Sequence, residues 1–211
     1  MSTETTAHAQ FEWLGGRTCL DFTNTVTWSE ADRPNERLGS YGDLLEWGER
    51  TSILSGAAAR RLHRAARGDP AAADGTLRDA HALREAIHEV FGARAERREP
   101  DVAAAETLNR FLGRALGRLR LGVEGDACSW MFVDEGDELD RMLWPVAWSA
   151  ASLLTSADAA RVRVCAADVC GWLFVDQSRN RSRRWCDMKA CGNAAKARRH
   201  YARKRGSEPA A

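Results

Sequence analysis

Four of the six cysteines form two pairs of equal spacing, Cys165-Ala-Ala-Asp-Val-Cys170 and Cys186-Asp-Met-Lys-Ala-Cys191, with fifteen residues between them. Cys19 and Cys128 stand alone. In a reducing compartment such a cluster points to a metal rather than to a disulfide framework. Two pairs of thiolates match a tetrahedral zinc site, at the loose end of the usual ligand spacing. Four protein ligands leave no open position for water, so one structural Zn2+ per chain is expected. Four free thiols would need a core that so short and polar a segment does not offer. An iron–sulfur cluster stays open chemically, but the paired spacing and arginine-rich setting favour zinc.

The flanking residues describe a small finger. Arg161 to Val164 alternates polar and apolar and reads as a strand, and Trp172-Leu173-Phe174-Val175 as a second. The first cysteine pair then lies at the turn of a hairpin. Asp176 to Arg184 is a polar loop. After Cys191, Gly192-Asn193 can start a helix to about Lys204, with Ala194, Ala197 and Tyr201 facing inward. Hairpin and helix together make a treble-clef-like unit. It buries too little to fold alone, so metal binding should supply much of its folding free energy.

The net charge of +1 conceals an asymmetry. Residues 161–211 hold 13 Lys/Arg and 4 Asp/Glu, whereas residues 1–160 hold 18 and 26. Zinc with four thiolates carries about −2, which accounts for two or three nearby cations. The excess suits a phosphate-binding surface: Arg179, Arg181, Arg183 and Arg184 in the loop, Lys196, Arg199 and Arg203 on one helical face. Trp172, Trp185 and Tyr201 could stack on bases or complete a minimal core.

Residues 10–157 read as an acidic, mostly helical domain. Ser40 with Asp43 resembles a capping box. Ala57 to Arg67 is Ala/Arg-rich, and Thr76 with Asp79 starts a helix carrying Leu83, Ile87, Val90 and Phe91. Pro100-Asp101 opens another, with Leu108, Leu112 and Leu116 on one face. Leu119 to Val123 and Ser129 to Val133, around Gly125-Asp126, form a hairpin. A last helix is expected from about Glu138 to Leu154, then a small polar linker. The expected class is mainly α (α+β), with the finger at 160–205 and flexible tails at 1–9 and 206–211.

The stretch Cys19-Leu-Asp-Phe-Thr-Asn-Thr-Val26 fits either helix or strand. On a helix, Asp21 and Asn24 share a face. The plainer reading is a local cap or a buried polar hydrogen bond; the functional one is a ligand pocket with Arg37 or a tryptophan. No catalytic signature holds: nucleophile elbow, phosphate loop and dinucleotide fingerprint are all missing. His88-Glu89 begins like a metalloprotease helix, but Gly92 stands where the second His is needed. His81 and His88 read as ordinary surface or core residues. No apolar run approaches the roughly 20 residues of a bilayer span. The first residues lack a signal peptide's basic and apolar regions, so a cytoplasmic protein is expected.

The C-terminal residues resemble the bacterial CGNR zinc finger, through Arg161-Val-Arg-Val-Cys165, Cys170-Gly-Trp-Leu-Phe-Val-Asp176, Ser178-Arg-Asn-Arg-Ser-Arg-Arg-Trp-Cys186 and Cys191-Gly-Asn. The Cys19–Val26 stretch and Tyr41-Gly-Asp-Leu-Leu are similar to the ABATE domain that commonly precedes that finger. The resemblance implies a stress-related transcription regulator, with zinc on Cys165, Cys170, Cys186 and Cys191. Ala194 stands where the finger's motif expects arginine.

The expectation is a non-enzymatic regulator whose finger binds DNA, with RNA as a variant, and whose N-terminal domain serves ligand sensing or assembly, including a homodimer. The alternative is an interaction module whose basic finger docks an acidic domain. Third comes a small-molecule enzyme in the N-terminal domain.

Overall fold

The computed structural model describes residues 11–28, 35–133 and 136–198. The two tails, Arg199, Tyr201 and Arg203 lie outside the described residues. The helical unit comprises α1 (Thr18–Thr23), α2 (Tyr41–Arg50), α3 (Gly56–Gly68), α4 (Pro70–Ala95), α5 (Val102–Arg118) and α6 (Leu143–Leu154). Between α5 and α6 stand β1 (Leu119–Glu124) and β2 (Ala127–Phe132), an antiparallel hairpin with Leu121 opposite Trp130. A 3-10 turn (Ala157–Arg161) leads to β3 (Val162–Val164) and β4 (Leu173–Val175), also antiparallel, with Val164 opposite Leu173. The architecture is mainly α with two small hairpins, as the sequence implied.

Local chemistry fixes most helix starts. Ser40 Oγ accepts from Asp43 N at 3.2 Å, and Ser55 Oγ from Ala58 N at 3.2 Å. Asp101 caps α5 through Ala103 N at 2.8 Å. Each cap satisfies an orphan N–H and contributes about 1 kcal/mol.

Two starts differ from expectation. α4 begins at Pro70, not Thr76, because Asp69 caps Ala72 N at 2.9 Å and Pro70 occupies the first turn. α6 begins at Leu143, not Glu138. A helix from 138 would place Pro145 in its interior, against the carbonyl of Arg141. Starting at 143 leaves that proline where an N–H has no intrahelical partner. The ambiguous Cys19–Val26 stretch is helical through Thr23.

The 26-residue α4 runs through the centre, with α1, α2, α3, α5 and α6 packed around it. Trp47, Phe22, Leu83, Ile87, Phe91 and Leu143 are fully buried there, and Phe22 meets Trp47 edge-on at 4.9 Å. Each such side chain stabilises the fold by about 1.5–3 kcal/mol. Val162, Leu173 and Val175 belong to this same core. The finger's hairpin therefore lays one apolar face on α1 and α4. No helix among the described residues is long and apolar enough to cross a membrane.

Candidate metal centre and basic surface

The hairpin brings Cys165 and Cys170 together at its turn, and the chain returns past it to present Cys186 and Cys191. All four sulfurs lie within 4.8 Å of one another. Cys186 Sγ is 3.6 Å from both Cys170 Sγ and Cys191 Sγ. Four thiolates on a zinc ion at about 2.3 Å stand roughly 3.8 Å apart, so the donors fit the metal in number, type and spacing. The expectation of one structural zinc holds. Three of the sulfurs are buried and Cys191 half-buried. Hydrogen bonds from Cys170 and Cys186 push the Cys165 thiol well down, while Cys165 pushes Cys170 and Cys186 up. Four neighbouring thiolates need a cation to coexist, and a divalent metal supplies one. Cys186 N–H points at Cys165 Sγ, 3.4 Å away.

Both units enclose the centre. Trp172, Phe174 and Ala167 pack on the sulfurs from the finger, Leu14 and Trp28 from the helical unit. Gly171 turns the chain after Cys170 with φ of +70°, and a Cβ there would meet Trp28 Cβ at 2.7 Å. That close approach lets Trp28 N–H donate to Cys170 O at 2.9 Å. His88 on α4 reaches Gly171 O at 2.9 Å and stacks on Trp28 with ring centroids 3.9 Å apart. Next along α4, the buried Arg84 grips Glu36 with both ends of its fork, at 2.7 and 2.5 Å, and Thr25 Oγ1 at 3.1 Å.

Asp21, Asn24 and Arg37, weighed as a ligand pocket, all serve this seam. Asn24 donates to Leu173 O at 2.9 Å and accepts from Leu173 N at 3.0 Å. Asp21 accepts from Gly15 N at 2.8 Å, and Gly15 O accepts from Val175 N at 2.9 Å. Burial pushes the Asp21 carboxyl up to about 6. Arg37 donates to Asn24 O at 2.9 Å and lies 4.9 Å over the Trp172 ring. The plainer reading, a buried polar hydrogen bond, describes Asn24. Open grooves lie elsewhere: about 430 Å³ between α2 and α3, and about 560 Å³ between the end of α4 and β3.

Asp176, the first residue of the polar loop, organises the arginines that follow. It is fully buried and accepts from Ser178 N, Ser178 Oγ and Arg183 N at 2.9, 2.6 and 3.0 Å. The Asp-x-Ser spacing was the available signal. Arg179, Arg181 and Arg184 are thereby held exposed, as is Lys196. Arg183 differs from expectation. Its guanidinium donates to the carbonyls of Trp185 and Cys186 and lies 4.4 Å over Phe174, so it braces the finger. Trp172 is also withdrawn from any surface role, being buried with its indole N–H on Val26 O at 2.8 Å. Residues 193–198 are helical, but Ala194 and Ala197 face solvent and Ala195 is half-buried, a shift of the inward face.

A helical unit carrying a docked four-cysteine finger defines a zinc-finger protein of two interlocked parts. Residues 16–157 match the ABATE family, described as "Putative stress-induced transcription regulator", and residues 161–204 match the CGNR zinc finger. The chain belongs to the ABATE family. No curated protein matches it.

Proposed function

We propose that the protein regulates transcription by binding duplex DNA through its zinc finger, with the helical unit holding the finger in place and serving sensing or assembly. The observation that carries this reading is the division of labour on the finger. The apolar face of the hairpin docks on α1 and α4, while Arg179, Arg181, Arg184 and Lys196 stay exposed. None of these four forms an ion pair among the described residues. Metal binding fixes the fold of the loop that displays them, and no chemical step is required of it.

The alternative reading had the basic surface of the finger docking an acidic domain. The finger does dock on its own chain's acidic unit, but with the opposite chemistry: apolar side chains, the Asn24 side-chain amide on the Leu173 backbone, and backbone pairing at Gly15. The cations are left over for another polyanion. Most of the affinity then comes from phosphate contacts and falls steeply with salt.

The test is fluorescence anisotropy of zinc-loaded protein with random duplex DNA across a salt series. A steep decline of affinity with salt supports the reading. No binding at low salt overturns it.

A further inference from the structure

We propose that the groove between the C-terminal end of α4 and β3 is a second phosphate site, which carries the DNA backbone from the finger onto the helical unit. This rests on the DNA-binding reading above and adds to it a surface outside the finger's loop and helix.

The groove encloses about 560 Å³ and is lined by Arg94, Arg97 and Arg163 over Ala95, Ala159 and Ala160. The small side chains leave room between the guanidinium groups, and no carboxylate lines the groove. On the adjoining segments Glu89, Glu96 and Asp158 are already engaged, while Glu99 is exposed without an ion pair among the described residues. Glu89 and Glu96 hold Arg98 at 2.6 and 2.9 Å. Asp158 holds Arg17 at 2.5 Å and Arg161 at 3.2 Å. The side chains of Arg94 and Arg97 are exposed and have no ion pair or hydrogen bond among the described residues. Arg163 spends only Nη1, on the carbonyls of Ala160 and Val162 at 3.0 Å each.

The helix end explains one cation at most. Arg94 sits in the last turn of α4, where a positive charge offsets the helix dipole. Arg97 follows the helix with φ of +60°. Arg98 N closes the end onto Ala93 O at 2.9 Å. That geometry favours glycine, and a non-glycine residue there costs about 1 kcal/mol or more. The chain thus carries a strained, unpaired arginine where glycine would relieve both strain and charge repulsion. A bound polyanion accounts for it.

Continuity with the finger comes through Arg163. It stands opposite Phe174 in the hairpin, Asp176 N donates to Arg161 O at 2.8 Å beside it, and Asp176 anchors the loop of Arg179 and Arg181. Groove and loop therefore meet at one short hairpin. The helical unit is acidic overall, and this groove is a basic patch on it that a phosphate chain can approach.

The experiment compares wild type, Arg94→Gln/Arg97→Gln and Arg179→Gln/Arg181→Gln in the same anisotropy salt series, each with full zinc content and wild-type melting temperature. The groove variant is expected to lower the slope of log affinity against log salt by about two, at roughly 0.9 per phosphate contact. Arg94→Lys/Arg97→Lys should restore it. A groove variant with the wild-type slope, beside a finger variant with a reduced one, overturns the proposal while DNA binding stands. Failure of wild type to bind at low salt removes both.

Discussion

The Asn24 side chain and the Leu173 backbone, 149 residues apart in sequence, form a two-way pair: amide to carbonyl at 2.9 Å, backbone N–H to amide oxygen at 3.0 Å. A side chain of the helical unit thus completes the edge of a two-stranded sheet in the finger. Asn24 is 2% exposed and Leu173 fully buried, so water cannot replace either bond. Asn24→Ala should leave a buried N–H and a buried C=O unpaired, at about 1–3 kcal/mol each. Urea unfolding should show a loss of about 2–6 kcal/mol, and a chelator should remove zinc faster. An Asn24→Ala protein with wild-type stability would mean that the seam does not depend on this pair.

Metal removal should reach beyond the finger. Val162, Leu173 and Val175 lie in the main core, so an unfolded finger uncovers that core. Each side chain contributes about 1.5–3 kcal/mol through burial. Chelation, or Cys186→Ser, should lower the thermal midpoint of the whole helical signal in circular dichroism, and zinc should restore it in the chelated protein. A helical melt unmoved by chelation would show two independent units instead.

The ligand set and most helices were legible because their signals are local: a cysteine spacing, a capping serine or aspartate, a helical repeat. Pro145 carried the correct start of α6, but the apolar stripe running back to Leu139 masked it. The seam was not legible. His88 and Gly171 are 83 residues apart, and neither periodicity nor composition links them. Asp21, Asn24 and Arg37 stood out in the sequence as a candidate ligand pocket, whereas the structure places them at the seam. Their partners, Gly15, Leu173 and Trp172, required the fold. Arg183 could not be told from Arg179 and Arg181, because an irregular loop has no repeat that separates inward from outward positions.

Asp21 gives the seam a pH dependence of known sign. Burial raises its carboxyl from 3.8 to about 6 in the folded protein, so folding favours the protonated form. The folded state holds more protons than the unfolded between those values, and stability falls as pH rises through that window. Above about pH 6 the loss is complete and levels off at up to about 3 kcal/mol. Asp21→Asn keeps an oxygen for Gly15 N but cannot ionise. Its stability relative to wild type should rise from pH 4 to pH 6.5, as measured by urea midpoints at each pH. A constant difference across that range would remove the role assigned to the buried carboxylate.

The arginines of one loop should separate by readout. Arg183 packs on Phe174 and binds the carbonyls of Trp185 and Cys186, next to a metal ligand. Arg183→Ala therefore leaves two carbonyls without their donor and should cost about 1–3 kcal/mol, seen as a lower melting temperature and weaker zinc retention. Arg179 and Arg181 are exposed, and their replacement by alanine should change stability by no more than about 0.5 kcal/mol. On DNA the order reverses. Losing Arg179 or Arg181 should each lower the salt slope by roughly 0.9. Arg183→Ala, once saturated with zinc and folded, should keep the wild-type slope. If Arg183→Ala melted like wild type yet lost salt dependence, its guanidinium would be facing phosphate rather than bracing the finger.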